Sequence, residues 1–372
     1  MLIASNTTLP LSRPTTQAGQ PPVHVAAVAT AYPPYCFTQQ DALEAAGRIF
    51  GHNPDLMQRM ASAYGNAGVR TRYSCVPLSW YSEPHGWPER TRLYEEHALR
   101  LLTGAGRDVL RAAGVSGKDI AATVTVSSTG IATPSLDSLL QGPLGLSPTV
   151  ERLPVFGLGC AGGVIGLARA SALARAMPGR WILFLCVELC GLTFRSADDS
   201  KQNIVATAIF GDGAAAVLLR ADGAGDDAPS LARVCAWGEY TWPETRDIMG
   251  WRVEDDGLGV IFSRSIPHLV RTQLRPVTDA FLGRCGLAQK DLRGLIVHPG
   301  GEKVLEALEG AYDLAPGSLG HARAVLAERG NMSAVTVLAV LERTLAAKER
   351  GLQMMTALGP GFSAAMCLLD LG

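Results

Sequence analysis

The chain has 372 residues, 47% hydrophobic and only 18% charged, so it can bury a large core as one big domain or two intimately packed ones. Its 33 basic and 34 acidic side chains nearly cancel, with no long run of one sign, which excludes the electrostatic footprint of a nucleic-acid partner and leaves small anionic substrates open. Eight cysteines scattered from Cys36 to Cys367 lack the dense spacing of a disulfide framework and fit a reducing cytoplasm.

In chain order, residues 1–22 are rich in Ser, Thr, Pro and Gln without the apolar core of a signal peptide, and read as a disordered arm. Strand-like apolar runs follow at 23–31, 120–127, 153–157, 181–188 and 215–219, then at 231–240, 259–263, 292–297, 354–357 and 364–369. Between them, apolar positions three and four apart predict helices at 40–50, 55–64, 92–113, 161–176, 267–282, 302–312 and 332–348. This alternation is that of an α/β protein with helices packed on buried sheets. The Gly- and Asp-rich stretch 221–230 separates an N-terminal half, 23–225, from a C-terminal half, 226–372, each with its own strand and helix set. No apolar stretch reaches the roughly 18 residues a transmembrane segment needs. No C-x-x-C pair occurs, and Cys186 to Cys190 lie in a strand-like run, so no metal site is expected.

Three junctions carry the chemistry. The run Gly157, Leu158, Gly159, Cys160, Ala161, Gly162, Gly163 leads from a strand into a helix, where unpaired N–H groups favour the anionic form of a thiol. Taken alone, Cys160 reads as a small buried cysteine. The strand at 292–297, however, ends at His298, Pro299, Gly300, Gly301, which holds an imidazole at a strand tip, whereas His97, His52 and His85 read as surface or packing residues. Asn331 precedes an apolar helix and on its own is an ordinary N-cap. Together the three supply a nucleophile, a thiolate partner and an amide donor, a set suited to capturing an acyl group and stabilising an enolate oxygen. A rival reading takes Gly157, Gly159 and Gly162 as the G-x-G-x-x-G of a dinucleotide site, with Glu188 as its acid. That acid lies 26 positions after Gly162 rather than roughly 20, and the rival leaves His298 and Asn331 without a role. Gly211, Asp212 and Gly213 read as a tight turn feeding a strand.

Five segments in order, GLGCAGG at 157–163, IFGDGAAA at 209–216, IVHPGGEKVLEALE at 296–309, GNMSA at 330–334 and LGPG at 358–361, resemble the type III polyketide synthases, the chalcone synthase-like branch of the thiolase superfamily. The resemblance covers nearly all of the chain after the arm. It implies a five-layered αβαβα thiolase-like fold built from two similar halves, a homodimer, and condensation of malonyl-CoA onto an acyl-CoA starter with no bound cofactor. It places Cys160, His298 and Asn331 in the catalytic positions, Phe210 at one gatekeeper position and Val260 at the other, and Arg59, with Lys303, at the coenzyme A phosphates. Ser128, Thr129, Thr133, Cys190, Leu192, Thr193, Trp251 and Ser333 map to the cavity lining. Cys190 in place of threonine and Thr133 in place of methionine, with the stretch PLSWYSEPHGWPER from Pro77, resemble bacterial enzymes that make alkylpyrones or alkylresorcinols from fatty acyl starters. Trp251 in place of glycine would instead shorten the product. A carrier-protein-dependent fatty-acid condensing enzyme on the same fold, of the priming ketosynthase type, is the nearest alternative.

Overall fold

The computed structural model describes residues 21–51, 54–223 and 230–372. Its strands are β1 (Val23–Ala31), β2 (Tyr35–Thr38), β3 (Thr71–Ser74), β4 (Ile120–Ser127), β5 (Glu151–Phe156), β6 (Trp181–Leu189), β7 (Asp212–Ala221), β8 (Ala232–Thr241), β9 (Met249–Glu254), β10 (Gly257–Phe262), β11 (Gly294–Val297), β12 (Leu352–Gly359) and β13 (Ser363–Asp370). Nine of them hydrogen-bond in the order β11-β12-β13-β8-β1-β7-β6-β4-β5.

That order reads the same from its middle outwards. In the N-terminal half β1 pairs antiparallel with β7, β7 antiparallel with β6, and β6 parallel with β4. In the C-terminal half β8, β13, β12 and β11 repeat those three relations. The halves join where Val23 to Val25 meet Ala232 to Val234. β6 and β7 are buried on both faces, which is why WILFLCVEL and AAAVLL are continuous apolar runs rather than alternating ones.

Two helices, Gly162–Ala176 and Ala334–Ala346, lie between the half-sheets and touch strands of both. They approach so closely that a Cβ on Gly163 would sit 2.3 Å from the Ala334 carbonyl oxygen. The long helix Trp87–Ala113 covers the outer face of β1, β6 and β7, and Phe281 of helix Arg275–Arg284 lies against Gly238 of β8 on the other side. These are the five layers of a thiolase-like fold. Among the described residues no helix is long and apolar enough to cross a membrane.

Several expectations shift. The strand expected at 153–157 starts at Glu151 and is a largely exposed edge. The helix expected from 92 begins at Trp87, and that expected from 332 begins only at Ala334, after Ser333 with φ +47°. The helix expected at 267–282 is interrupted by a π turn at Val270–Leu274, just before Pro276, whose missing N–H cannot continue the regular ladder. Helices Lys201–Ile209 and Gly320–Arg329, strands β2 and β3, and β9 were not anticipated. The expected boundary between halves, at 225, lies outside the described residues, as does nearly all of the arm.

Gly163→Ala is expected to destabilise by about 1–3 kcal/mol through overpacking against Ala334. Gly104→Ala, in a helix interior with nothing within 4 Å of the new Cβ, should instead stabilise by about 0.5–1 kcal/mol. Urea midpoints of the two variants check this, and equal shifts of the same sign would contradict the close approach.

Candidate active site

The turn Gly159–Ala161 carries Cys160 between β5 and the first inner helix. Gly159 adopts φ +48°, a Cβ there would meet the Pro360 ring at 2.6 Å, and its N–H donates to Ser128 Oγ at 3.0 Å. His298 follows β11 directly, its N–H donating to Thr356 O at 2.9 Å. Asn331 is fixed on both sides. Its N–H donates to Ile209 O (2.7 Å) and its carbonyl accepts from Gly211 N (3.0 Å). Its side-chain oxygen accepts from Ser333 N (2.8 Å), and Nδ2 donates to Gly300 O (3.3 Å), leaving one amide hydrogen for another acceptor. Cys160, His298 and Asn331 line one small chamber, closed by Met249, Phe262, Val304 and Leu358.

Cys160 and His298 are only 8% and 5% exposed, and that burial governs their protonation. Burial pushes the Cys160 thiol up to about 12, while the side chains of Ser333 and Asn331 pull the other way. Unpaired N–H groups at the helix N-terminus favour the anion, but desolvation outweighs them. Burial also lowers His298 to about 3, and neither of its ring nitrogens has a hydrogen-bond partner. A neutral imidazole with one free N–H and one free lone pair thus shares the chamber with a neutral thiol. Moving the proton from sulfur to His298 ionises the nucleophile without changing the chamber's net charge.

Sequence reasoning placed Glu188 only in the dinucleotide reading. The structure puts it, fully buried, at the centre of the site's polar network. Its carboxylate accepts from Ser128 N (3.0 Å), Thr129 Oγ1 (2.8 Å) and Ser333 Oγ (3.3 Å). Burial raises it to about 7 against those bonds. The rival itself fails on packing. A Cβ on Gly162 would meet Val126 at 2.8 Å, and Gly159 abuts Pro360, so these glycines serve close packing rather than a pyrophosphate cradle.

The remaining candidates divide. A second, larger cavity is bounded by Cys190, Thr193, Phe210 and Val260, together with Leu78 and Tyr81 from the stretch that begins at Pro77. Phe262, two residues beyond Val260 on β10 and so on the same face, lines the Cys160 chamber. Trp251 pairs with Val260 across the β9–β10 ribbon, with its ring centroid 6.2 Å from that of Phe210. Ser128, Thr129 and Ser333 belong to the Glu188 network. Leu192 turns into the core with Val187 and Leu189. Thr133 is exposed, beyond β4, and borders neither cavity within this one chain. Lys303 is exposed in the first turn of helix Glu302–Ala311, next to Val304 of the chamber. Arg59 falls on helix Pro54–Gly65, but its side chain lies outside the described residues. Among the described residues, no group of three or more His, Cys, Asp or Glu could hold a metal ion.

Comparison with known proteins bears on this geometry. Residues 12–223 match the N-terminal domain of the chalcone and stilbene synthases, and residues 234–369 match their C-terminal domain. A 1,3,6,8-tetrahydroxynaphthalene synthase of Streptomyces peucetius is 38% identical over 351 residues, 93% of this chain and 92% of that protein. An alpha-pyrone synthesis polyketide synthase-like protein of Mycobacterium tuberculosis is 28% identical over 365 residues, 94% of this chain and 92% of that one. The crystal structure of PKS-I from the brown alga Ectocarpus siliculosus superposes with a TM-score of 0.88 at 27% identity, covering 95% of this chain and 100% of that one.

Glu188 gives a signed pH prediction. Its folded value, about 7, lies above the ordinary 4.5, so its contribution to stability is fully present below pH 4.5 and is lost as pH rises through 7. Glu188→Gln does not titrate, so its urea midpoint should rise relative to wild type between pH 5 and pH 8. A difference that is the same at both pH values would contradict the buried, proton-retaining carboxyl.

Proposed function

Because the chain belongs to the chalcone and stilbene synthase family, the type III polyketide synthases, we propose that it condenses an acyl-CoA starter with malonyl-CoA on Cys160. The carrying observation is that both ring nitrogens of His298 lack protein partners in the chamber that also holds the Cys160 sulfur and the Asn331 side-chain amide. His298 takes the Cys160 proton, the sulfur attacks the starter carbonyl, and the coenzyme A thiolate leaves with that proton. Neutral His298 and Asn331 then donate to the malonyl thioester oxygen. The C–C bond to the carboxylate breaks, carbon dioxide leaves, and the electron pair forms an enolate on that oxygen. Each donor aimed at this developing charge contributes about 3–4 kcal/mol. The apolar rings of Phe262 and Phe210 disfavour the hydrated carboxylate and favour neutral carbon dioxide. The enolate carbon attacks the acyl group on Cys160, and the sulfur leaves. These steps balance on the two thioesters alone, and we assign no bound cofactor.

For the starter, the reading is a fatty acyl-CoA extended two or three times to an alkylpyrone or alkylresorcinol. It is supported by the second cavity, which is bordered by the apolar side chains of Ala45, Ile49, Phe194 and Val260 together with Phe210. Burial pushes its Cys190 thiol up, with smaller contributions from Glu188, Asp212 and Cys160. The Mycobacterium tuberculosis relative, named for alpha-pyrone synthesis, points the same way. The Streptomyces peucetius relative favours a second reading, a polyhydroxynaphthalene without an alkyl tail, as does Trp251 beside Phe210. Lys303, exposed and next in sequence to Val304 of the chamber, and Arg59 are assigned to the coenzyme A phosphates as point charges. The site of action is the cytoplasm.

Mass spectrometry of products from malonyl-CoA with a panel of acyl-CoA starters separates these readings. Alkylpyrones or alkylresorcinols from medium and long starters are expected, and turnover of malonyl-CoA alone to a naphthol, with those starters untouched, would sink the fatty-acyl reading.

The chain is assigned to a homodimer formed through the β5 edge, where Phe156 is 56% exposed beside exposed Leu153 and Ile131. Phe156→Lys should convert the dimer to monomer in sedimentation equilibrium. An unchanged mass would place the interface elsewhere.

A further inference from the structure

Helix Lys201–Ile209 ends at Phe210, and its last carbonyls need partners from outside the helix. All four are accounted for. Arg72, on β3, donates Nη1 to Thr207 O (2.5 Å) and to Phe210 O (3.2 Å), and Nη2 to Ala208 O (2.8 Å). Ile209 O takes the N–H of Asn331, at 2.7 Å. One guanidinium therefore caps three carbonyls, and the backbone of Asn331 caps the fourth. Gln39, which also donates to Ala208 O (3.1 Å), accepts from Arg72 Nη2 and fixes the head of the fork.

Arg72 is 6% exposed, and these bonds all run to neutral oxygens. A buried cation without a carboxylate on its hydrogen bonds is costly unless the oxygens around it are held in place. Here they belong to the segment that carries Phe210 and pairs with Asn331. The fit is close on both sides. A Cβ on Gly211 would sit 2.4 Å from Arg329 O, and one on Gly330 would sit 2.8 Å from Ile209 O, each also 3.5 Å from the Arg72 Cβ. Cys160 and His298 are held by different contacts, the Gly159–Ser128 bond and the pairing of β11 with β12.

We propose that Arg72 is a positioning residue for decarboxylation: by capping helix Lys201–Ile209 it sets the Phe210 ring and, through the Ile209–Asn331 bond, the amide that faces the malonyl thioester. The inference rests on the role given above to Asn331. It separates the two halves of the reaction, because the proton transfer that loads Cys160 runs through His298, which Arg72 does not hold, whereas decarboxylation needs Asn331 as a donor.

The test uses the full chain as wild type, Arg72→Met and Arg72→Lys, with melting temperatures recorded for each. Two rates are measured: acyl loading of Cys160 from a starter acyl-CoA by intact mass, and decarboxylation of malonyl-CoA. Arg72→Met should lose about 100-fold in kcat for decarboxylation, the scale of one misplaced oxyanion donor, with KM and loading within about threefold of wild type. Arg72→Lys, whose ammonium cannot span three carbonyls, should recover part of that loss, to within about tenfold of wild type. If Arg72→Met does not fold, the same split in Arg72→Lys carries the test. Parallel loss of loading and decarboxylation, or unchanged decarboxylation, overturns the positioning role. A wild-type protein that loads starter but is inert toward malonyl-CoA overturns the Asn331 assignment and this inference with it.

Discussion

The site depends on how closely two helices can lie at the centre of the molecule. Helix Gly162–Ala176 meets helix Ala334–Ala346 at backbone distance because Gly163 offers no Cβ to the Ala334 carbonyl. Cys160 stands just before one of these helices, and Asn331 and Ser333 just before the other, so the approach that packs the core also brings sulfur and carboxamide to one place. The internal symmetry extends to the strand tips. β4 ends in the N-terminal half where β11 ends in the C-terminal half, and the residues that follow are Ser128 and Thr129 on one side and His298 on the other. The two halves of one scaffold thus carry different chemistry, a backbone N–H and a hydroxyl bonded to Glu188 in one and an unpartnered imidazole in the other.

Closing the chamber has a double effect. It disfavours every isolated charge, which keeps Cys160 and His298 neutral at rest, and it strengthens any charge-stabilising donor once reaction begins. No protein group meets the ring nitrogens of His298, so they face the chamber. The surrounding network is rigid. Glu188 ties Ser128, Thr129 and Ser333 together, and the 209–211 segment grips Asn331 from the opposite side.

The three candidates Cys160, His298 and Asn331 were legible because each stands at a strand or loop end punctuated by glycine, where local signals are strongest. Other features had no local signature. Arg72 acts on carbonyls 135 or more positions away, and nothing in TRYS reports such a contact. Helix Lys201–Ile209 is apolar on several faces, which hides its period. Glu188 ends a buried strand, and only the fold shows that its partners are three hydroxyl or amide donors rather than a ribose. Val260 and Phe262 share a face of β10 two residues apart, and only the fold shows that Phe262 borders the Cys160 chamber and Val260 the larger cavity.

The central claim is that one sulfur, Cys160, holds the acyl chain in a chamber shared with His298 and Asn331. Incubation with an acyl-CoA starter, rapid acid quench, proteolysis and tandem mass spectrometry locate the thioester among the eight cysteines. The account predicts an acyl adduct on the Cys160 peptide alone. An adduct on any other cysteine, or product formation that persists in a Cys160→Ala protein, would contradict it.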